Sequence, residues 1–260
     1  MTLIYHGSLP PGALVSPTRP APKLPRPADG AAIPLHFTAR AADLTGSAGD
    51  PARIIRWAAR DGAMAALPIG PNADGTVFEP TPAPPALRFE AETHGGLVLS
   101  EVIAESAACS FGLIFQTTEA DAETLLTLQP LGLKDYLFLA GRGGEVLAGQ
   151  DAGVFALSLP LIRAAGQVVL VLCGLTGRRV SVAVNDLDPV TGTLGPGWTG
   201  GAADLFIGCR GQRAGLRRKL GSFRLCDVMV WPDRDCLADP ADAGVDAARA
   251  LWHERQRDVA

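Results

Sequence analysis

Apolar and polar residues alternate along this chain in short runs. The clearest lies between residues 203 and 231. Leu205, Ile207 and Cys209 share one phase of Ala203-Asp-Leu-Phe-Ile-Gly-Cys209. In Phe223-Arg-Leu-Cys-Asp-Val-Met-Val-Trp231, one phase holds Phe223, Leu225, Asp227, Met229 and Trp231, and the other Arg224, Cys226, Val228 and Val230. Period-two alternation around a Gly-rich connection predicts an antiparallel pair with at least one buried face. Comparable strand-like runs begin at Cys109, Glu123, Asp135, Glu145, Val154, Gln167 and Arg179, separated by turns such as Gly141-Arg-Gly-Gly and Gly174-Leu-Thr-Gly. No 3.6-residue pattern separates them, which excludes a βαβ fold with a parallel sheet.

The two ends of the chain read differently. Prolines at 10, 11, 17, 20, 22, 25, 27 and 34, with Arg19, Lys23 and Arg26, make residues 1–34 an extended arm that has no core of its own. Two readings of it stand: a flexible tail, or an arm lying along another protein subunit with Leu3, Ile4 and Tyr5 as its apolar anchor. At the C-terminus Val245, Ala248, Leu251 and Trp252 fall on one helical face, with Asp239 as N-cap and Pro240 at the first helical position. Gly244 weakens that helix.

Three segments near the start carry a resemblance. They are Leu35-His-Phe-Thr-Ala-Arg-Ala-Ala-Asp-Leu44, then Gly49-Asp-Pro-Ala-Arg-Ile-Ile-Arg-Trp57 with Asp61-Gly62, then Pro85-Ala-Leu-Arg-Phe89. Together with the closing run 203–231 they resemble the concanavalin A-like lectin/glucanase superfamily of the laminin-G/pentraxin type, as found in phage-like particle appendages. The resemblance covers about residues 33–255. It implies an all-β antiparallel β-sandwich (a jelly roll) over 35–236, preceded by the Pro-rich arm 1–34 and followed by a short helix within 237–260. It also places Trp57 between the sheets, where a large indole suits a sandwich core.

Composition narrows the function. With 30 Gly, 21 Pro and few aromatics, the chain suits a sheet protein with many turns. A net charge of −4 gives no footprint for nucleic acid. The five cysteines form no CxxC, and their odd number argues against a full disulfide framework. They read as buried thiols, with Cys209 and Cys226 as candidate cross-strand neighbours. The N-terminus lacks a charged n-region and a long apolar stretch, so it is not a secretory signal. The longest apolar run, Val168–Cys173, is too short for a membrane span.

Candidate chemistry is sparse. The enzymes of the resembled superfamily carry a Glu-x-Asp-x-x-Glu strand, and cleavage of a glycosidic bond needs two carboxyls. That motif is missing; Glu90-Ala-Glu92 is the nearest pair and reads as a solvated strand end. Cys109, Ser110 and His94 sit in no nucleophile-elbow context. The four histidines show no zinc spacing. Asn185, Asp186 and Asp188 offer hard oxygens for calcium, or simply a turn. Trp198 is read either as a sugar-stacking residue or as a loop plug. Arg213, Arg217, Arg218 and Lys219 make a basic patch suited to carboxylates, or a solvated hairpin tip, or a grip on a neighbouring subunit.

The expectation is therefore a non-catalytic binding or attachment module, a spike, fibre or tail component of a phage-like particle that touches acidic cell-surface polysaccharide. It is made in the cytoplasm, released by lysis, part of an oligomer, and needs no cofactor beyond the calcium candidate. A glycan-degrading enzyme and a purely structural subunit are the alternatives.

Overall fold

Apolar residues every second position drive short strands to pair and bury one face, and the computed structural model shows where each strand finds its partner. It describes residues 32–259 apart from 51, 74, 105–106, 134, 151–153, 162–164, 196–200 and 212–218. In chain order the strands are β1 (Leu35–Thr38), β2 (Leu44–Gly46), β3 (Ile54–Ala58), β4 (Ala65–Ala73), β5 (Val77–Glu79), β6 (Ala86–Phe89), β7 (Gly95–Ile103) and β8 (Ala108–Thr117). Then follow β9 (Glu123–Pro130), β10 (Leu137–Arg142), β11 (Glu145–Gln150), β12 (Val154–Pro160), β13 (Val168–Thr176) and β14 (Arg179–Val184). The last are β15 (Val190–Thr193), β16 (Ala203–Ile207) and β17 (Phe223–Trp231), before helix α1 (Ala243–Arg257).

All pairings are antiparallel and fall into two sheets. One has the order β15-β14-β13-β8-β17-β6-β5, with β1 also on β17; the other runs β12-β11-β10-β9-β16-β7-β4-β3-β2. The fold is thus an all-β antiparallel sandwich with one short C-terminal helix. The core between the sheets takes Phe37, Trp57, Phe89, Leu99, Phe111, Phe115, Leu139, Val171 and Phe223 among others. Trp57 is 0% exposed. Its indole N–H donates to the Thr38 carbonyl (2.8 Å), and its ring meets Phe37 edge-on at 5.6 Å.

Two expectations about the closing run are corrected. β16 and β17 are not paired with each other. β16 lies between β9 and β7, while β17 lies beside β8, so the connection crosses from one sheet to the other. Cys209 and Cys226 consequently pack in separate apolar clusters. All five cysteines are buried thiols. The single phase read along 223–231 is also broken. The register of β17 on β8 shifts between Leu225 and Asp227. Phe223 and Leu225 enter the core before the bulge; Val228 and Val230 enter it after. A bulge inserts one residue and so moves every later side chain to the opposite face.

That switch turns Asp227, Met229 and Trp231 outward, where α1 covers them. Val245, Ala248 and Trp252 pack on Ile114, Leu170, Leu172, Met229 and Trp231. The N-cap is Asp242, whose carboxylate accepts the Gly244 amide at 2.7 Å; it is not Asp239, which sits in the preceding turn. Gly244 has a packing reason for its place in the first turn. A Cβ there would lie 2.6 Å from Trp231 Nε1.

Candidate functional site

Each sheet has an outer face, and both are partly covered. On the first sheet α1 is held by a buried polar cluster. Arg255 Nε donates to Asp227 Oδ2 (2.8 Å), Arg255 Nη2 donates to Thr38 Oγ1 (3.2 Å), and His36 Nε2 lies 2.9 Å from Asp227 Oδ1. Burial pushes the Asp227 carboxyl up, but hydrogen bonds from His36 and Arg255 and the Arg255 charge outweigh it, so the net shift is downward. On the second sheet, Phe138, Thr127 and Phe206 are direct cross-strand neighbours on β10, β9 and β16. The chain leaving β16 folds back over them. Arg210 lies 3.7 Å above the Phe138 ring centre and donates to Thr124 Oγ1 at 2.9 Å. Burial pulls the Arg210 pKa down.

Two clefts flank the helix. The larger, about 550 Å³, opens beside Gln116, Thr118, Gly166, Arg224 and Asp258. Its cation is already committed. Arg224 donates to Glu79 Oε2 (3.0 Å), to the Pro82 carbonyl (2.8 Å) and to Gln116 Oε1. The smaller cleft, about 260 Å³, lies between the β14–β15 hairpin and the start of α1. Arg179, Asp188 and Thr191 line it from the hairpin; Asp239 and Arg249 line it from the helix side.

The polar groups of this smaller cleft are largely uncommitted. No side-chain hydrogen bond or ion pair joins Arg179 or Asp188 to any described residue. Arg249 Nε is buried without a hydrogen-bond partner, and its nearest acid is Asp186 Oδ1 at 3.9 Å. Asp239 Oδ1 accepts the Ala241 amide at 2.9 Å. Buried polar atoms are nearly always paired, so an orphan donor at a cleft wall marks a group with capacity for a ligand.

The sequence-derived candidates distribute as follows. Asp188 reaches the smaller cleft and Asp186 stands beside Arg249. Asn185 has φ +56° and its Oδ1 accepts the Leu170 amide at 2.9 Å, so that oxygen ties the end of β14 to β13. Among the described residues no three His, Cys, Asp or Glu side chains gather as a metal cluster. Lys219 is half-buried next to Leu220, which bridges to Glu123 far from this cleft. Glu90 and Glu92 are exposed in a turn. Leu3, Ile4, Tyr5, Trp198, Arg213, Arg217 and Arg218 lie outside the described residues. Sequence reasoning missed Arg179 and Arg249, and it read Asp239 only as a helix cap. The one available signal was the position of Arg249 one residue past Ala248, at the rim of the buried helix face.

Comparisons with known proteins follow from the fold. No family model matches the chain, and no curated protein matches it in sequence. Solved structures do match. Domain 4 of AbnA, a GH43 extracellular arabinanase from Geobacillus stearothermophilus determined with arabinotriose, superposes with a TM-score of 0.54 at 13% identity, covering 82% of this chain and 98% of that one. A Trypanosoma rangeli sialidase gives 0.53 at 14% identity over 89% of this chain and 35% of the sialidase. A GH54 α-L-arabinofuranosidase gives 0.53 at 10% identity over 78% and 51%. This chain therefore spans about a third of the sialidase and about half of the arabinofuranosidase.

At these identities the likeness is one of fold: a β-sandwich of the kind built into glycosidase chains. It nevertheless corrects the expectation of a non-enzyme. That expectation rested on the missing Glu-x-Asp-x-x-Glu strand, whereas these neighbours are chains of an arabinanase, a sialidase and an arabinofuranosidase. The absence of one superfamily motif is no ground for excluding catalysis. As to location, no described helix is long and apolar enough to cross a membrane.

Proposed function

We propose that this chain is a carbohydrate-engaging β-sandwich that acts in glycan breakdown, and that the smaller cleft receives the sugar. The observation that carries the reading is the lining of that cleft by two carboxyls, two guanidinium groups and a hydroxyl with few partners inside the protein. A sugar ring presents hydroxyls that donate and accept, and such a mixed lining answers both. The volume sits just below the roughly 300–1,000 Å³ of most ligand pockets, which suits one sugar unit. The resemblance to concanavalin A-like domains and the glycosidase neighbours support the same direction. Attachment to a phage-like particle draws only on the resemblance and on the Pro-rich arm.

Two carboxyls on one cleft meet the first requirement of glycosidic cleavage, an acid and a base or nucleophile. Asp188 and Asp239 are the pair assigned here. The test is hydrolysis of oligosaccharides and of nitrophenyl glycosides by the wild type and by Asp188→Asn and Asp239→Asn, with binding followed by calorimetry. Loss of turnover by about 10²-fold or more in either variant with binding retained is the expected result. Binding without turnover in the wild type would reduce the role to glycan capture, and no binding of any glycan would overturn the proposal.

A further inference from the structure

We infer that the sugar taken by this cleft carries a carboxylate, held by Arg249 and Arg179 while Asp188 and Asp239 accept its hydroxyls; this rests on the reading of the cleft as a carbohydrate site.

Several arginines stand at surface hollows or on a sheet's outer face, and most are already committed; Arg255 is held by Asp227 and Thr38. Arg210 is spent on Thr124 and Phe138, and Arg224 on Glu79, Gln116 and Pro82. Arg249 is different. Its Nε is buried and unpartnered, and the 3.9 Å to the largely exposed Asp186 is too long for a hydrogen bond. Arg179 lines the same cleft with no side-chain partner among the described residues. A guanidinium presents paired N–H donors in a plane, which match the two oxygens of a carboxylate. Arg179 is exposed and Arg249 half-buried, so it is the Arg249 Nε, buried and unpaired, for which a charged acceptor offers more than a neutral hydroxyl does.

The acids of the cleft narrow the anion. A phosphate or sulfate would bring up to two negative charges toward Asp188 and Asp239, and it lacks the several hydroxyls of a sugar with which to meet both carboxylates. A uronate or sialate brings one carboxylate for the arginines and several hydroxyls for the aspartates. One singly charged polyol thus satisfies both halves of the lining.

The experiment measures binding by calorimetry at low and high salt for two matched pairs of probes. One pair is tetragalacturonate and its carboxyl-reduced neutral counterpart; the other is sialyllactose and lactose. The expected result is that one acidic probe binds about tenfold or more tightly than its neutral partner. Which pair shows the preference distinguishes uronate from sialate. Arg249→Gln should erase that preference and Arg249→Lys should restore part of it, with the melting temperature unchanged in both. Equal binding of acidic and neutral probes would overturn the carboxylate while leaving the carbohydrate reading intact. A preference that survives both Arg249→Gln and Arg179→Gln would overturn the assignment to this cleft. Binding of none of the four, nor of any neutral glycan, would overturn both readings.

Discussion

Individual residues hold this sandwich together through apolar bulk rather than through cross-links. Trp57 fills the core and spends its one polar atom on the Thr38 carbonyl. Replacing it by alanine empties an aromatic volume between two sheets that cannot close fully. The expected loss is about 3–5 kcal/mol in chemical denaturation, and a change within error would show that the ring is not part of the core. The thiols behave as small hydrophobes. Burial raises Cys226 to about 12 and Cys236 to about 11, so neither is a thiolate at neutral pH. A thiol reagent at pH 8 should therefore label the native protein only as fast as it unfolds, and all five should react at once in denaturant. Gly208 shows what a single backbone position demands. It has φ +72°, and a Cβ would lie 2.3 Å from the Phe89 ring. Only glycine turns the chain there without displacing the Phe89–Phe223 stack.

Among the elements, α1 depends on one charged contact as much as on its apolar face. Asp227 and the Arg255 side chain are buried, and each leaves the other uncompensated when removed. Arg255→Met should cost about 3–5 kcal/mol, more than a surface pair would. The same contact sets an acid limit. The Asp227 carboxyl is held below its ordinary 3.8, so its contribution is complete above that value and is lost as pH falls through the lower folded value. Melting temperature should stay level from pH 7 to about 4 on this account and then drop, and Asp227→Asn should lack that component of the drop. A wild-type acid profile superimposable on that of the variant would remove Asp227 from the account. The bulge at Cys226 is what aims this carboxylate at the helix, because it turns Asp227 out of the phase that Phe223 and Leu225 follow into the core.

For the whole molecule, the described end of the arm meets the sandwich through Ile33, packed on the apolar cluster beneath α1, and through Ala32. The Ala32 carbonyl accepts the Trp231 indole N–H at 2.7 Å. Deleting residues 1–31 is expected to leave melting almost unchanged, while deleting 1–34 removes the Ile33 packing, orphans the Trp231 donor and lowers it. Equal melting of the two truncations would show that this anchor contributes nothing. By itself the sequence determined what is local. Alternation marked the strands and the helical face marked α1, because side-chain periodicity follows from backbone geometry alone, whereas the core position of Trp57 came from the family resemblance. Partner choice was not local. Only the tertiary structure decided that β16 and β17 belong to different sheets, since alternation is the same whichever neighbour a strand finds. Only it gathered Arg179 and Asp188 with Asp239 and Arg249 around one cleft. Those pairs come from a hairpin and a helix start far apart in the chain, and what joins them is the packing of α1 on the first sheet, which no spacing of residues records.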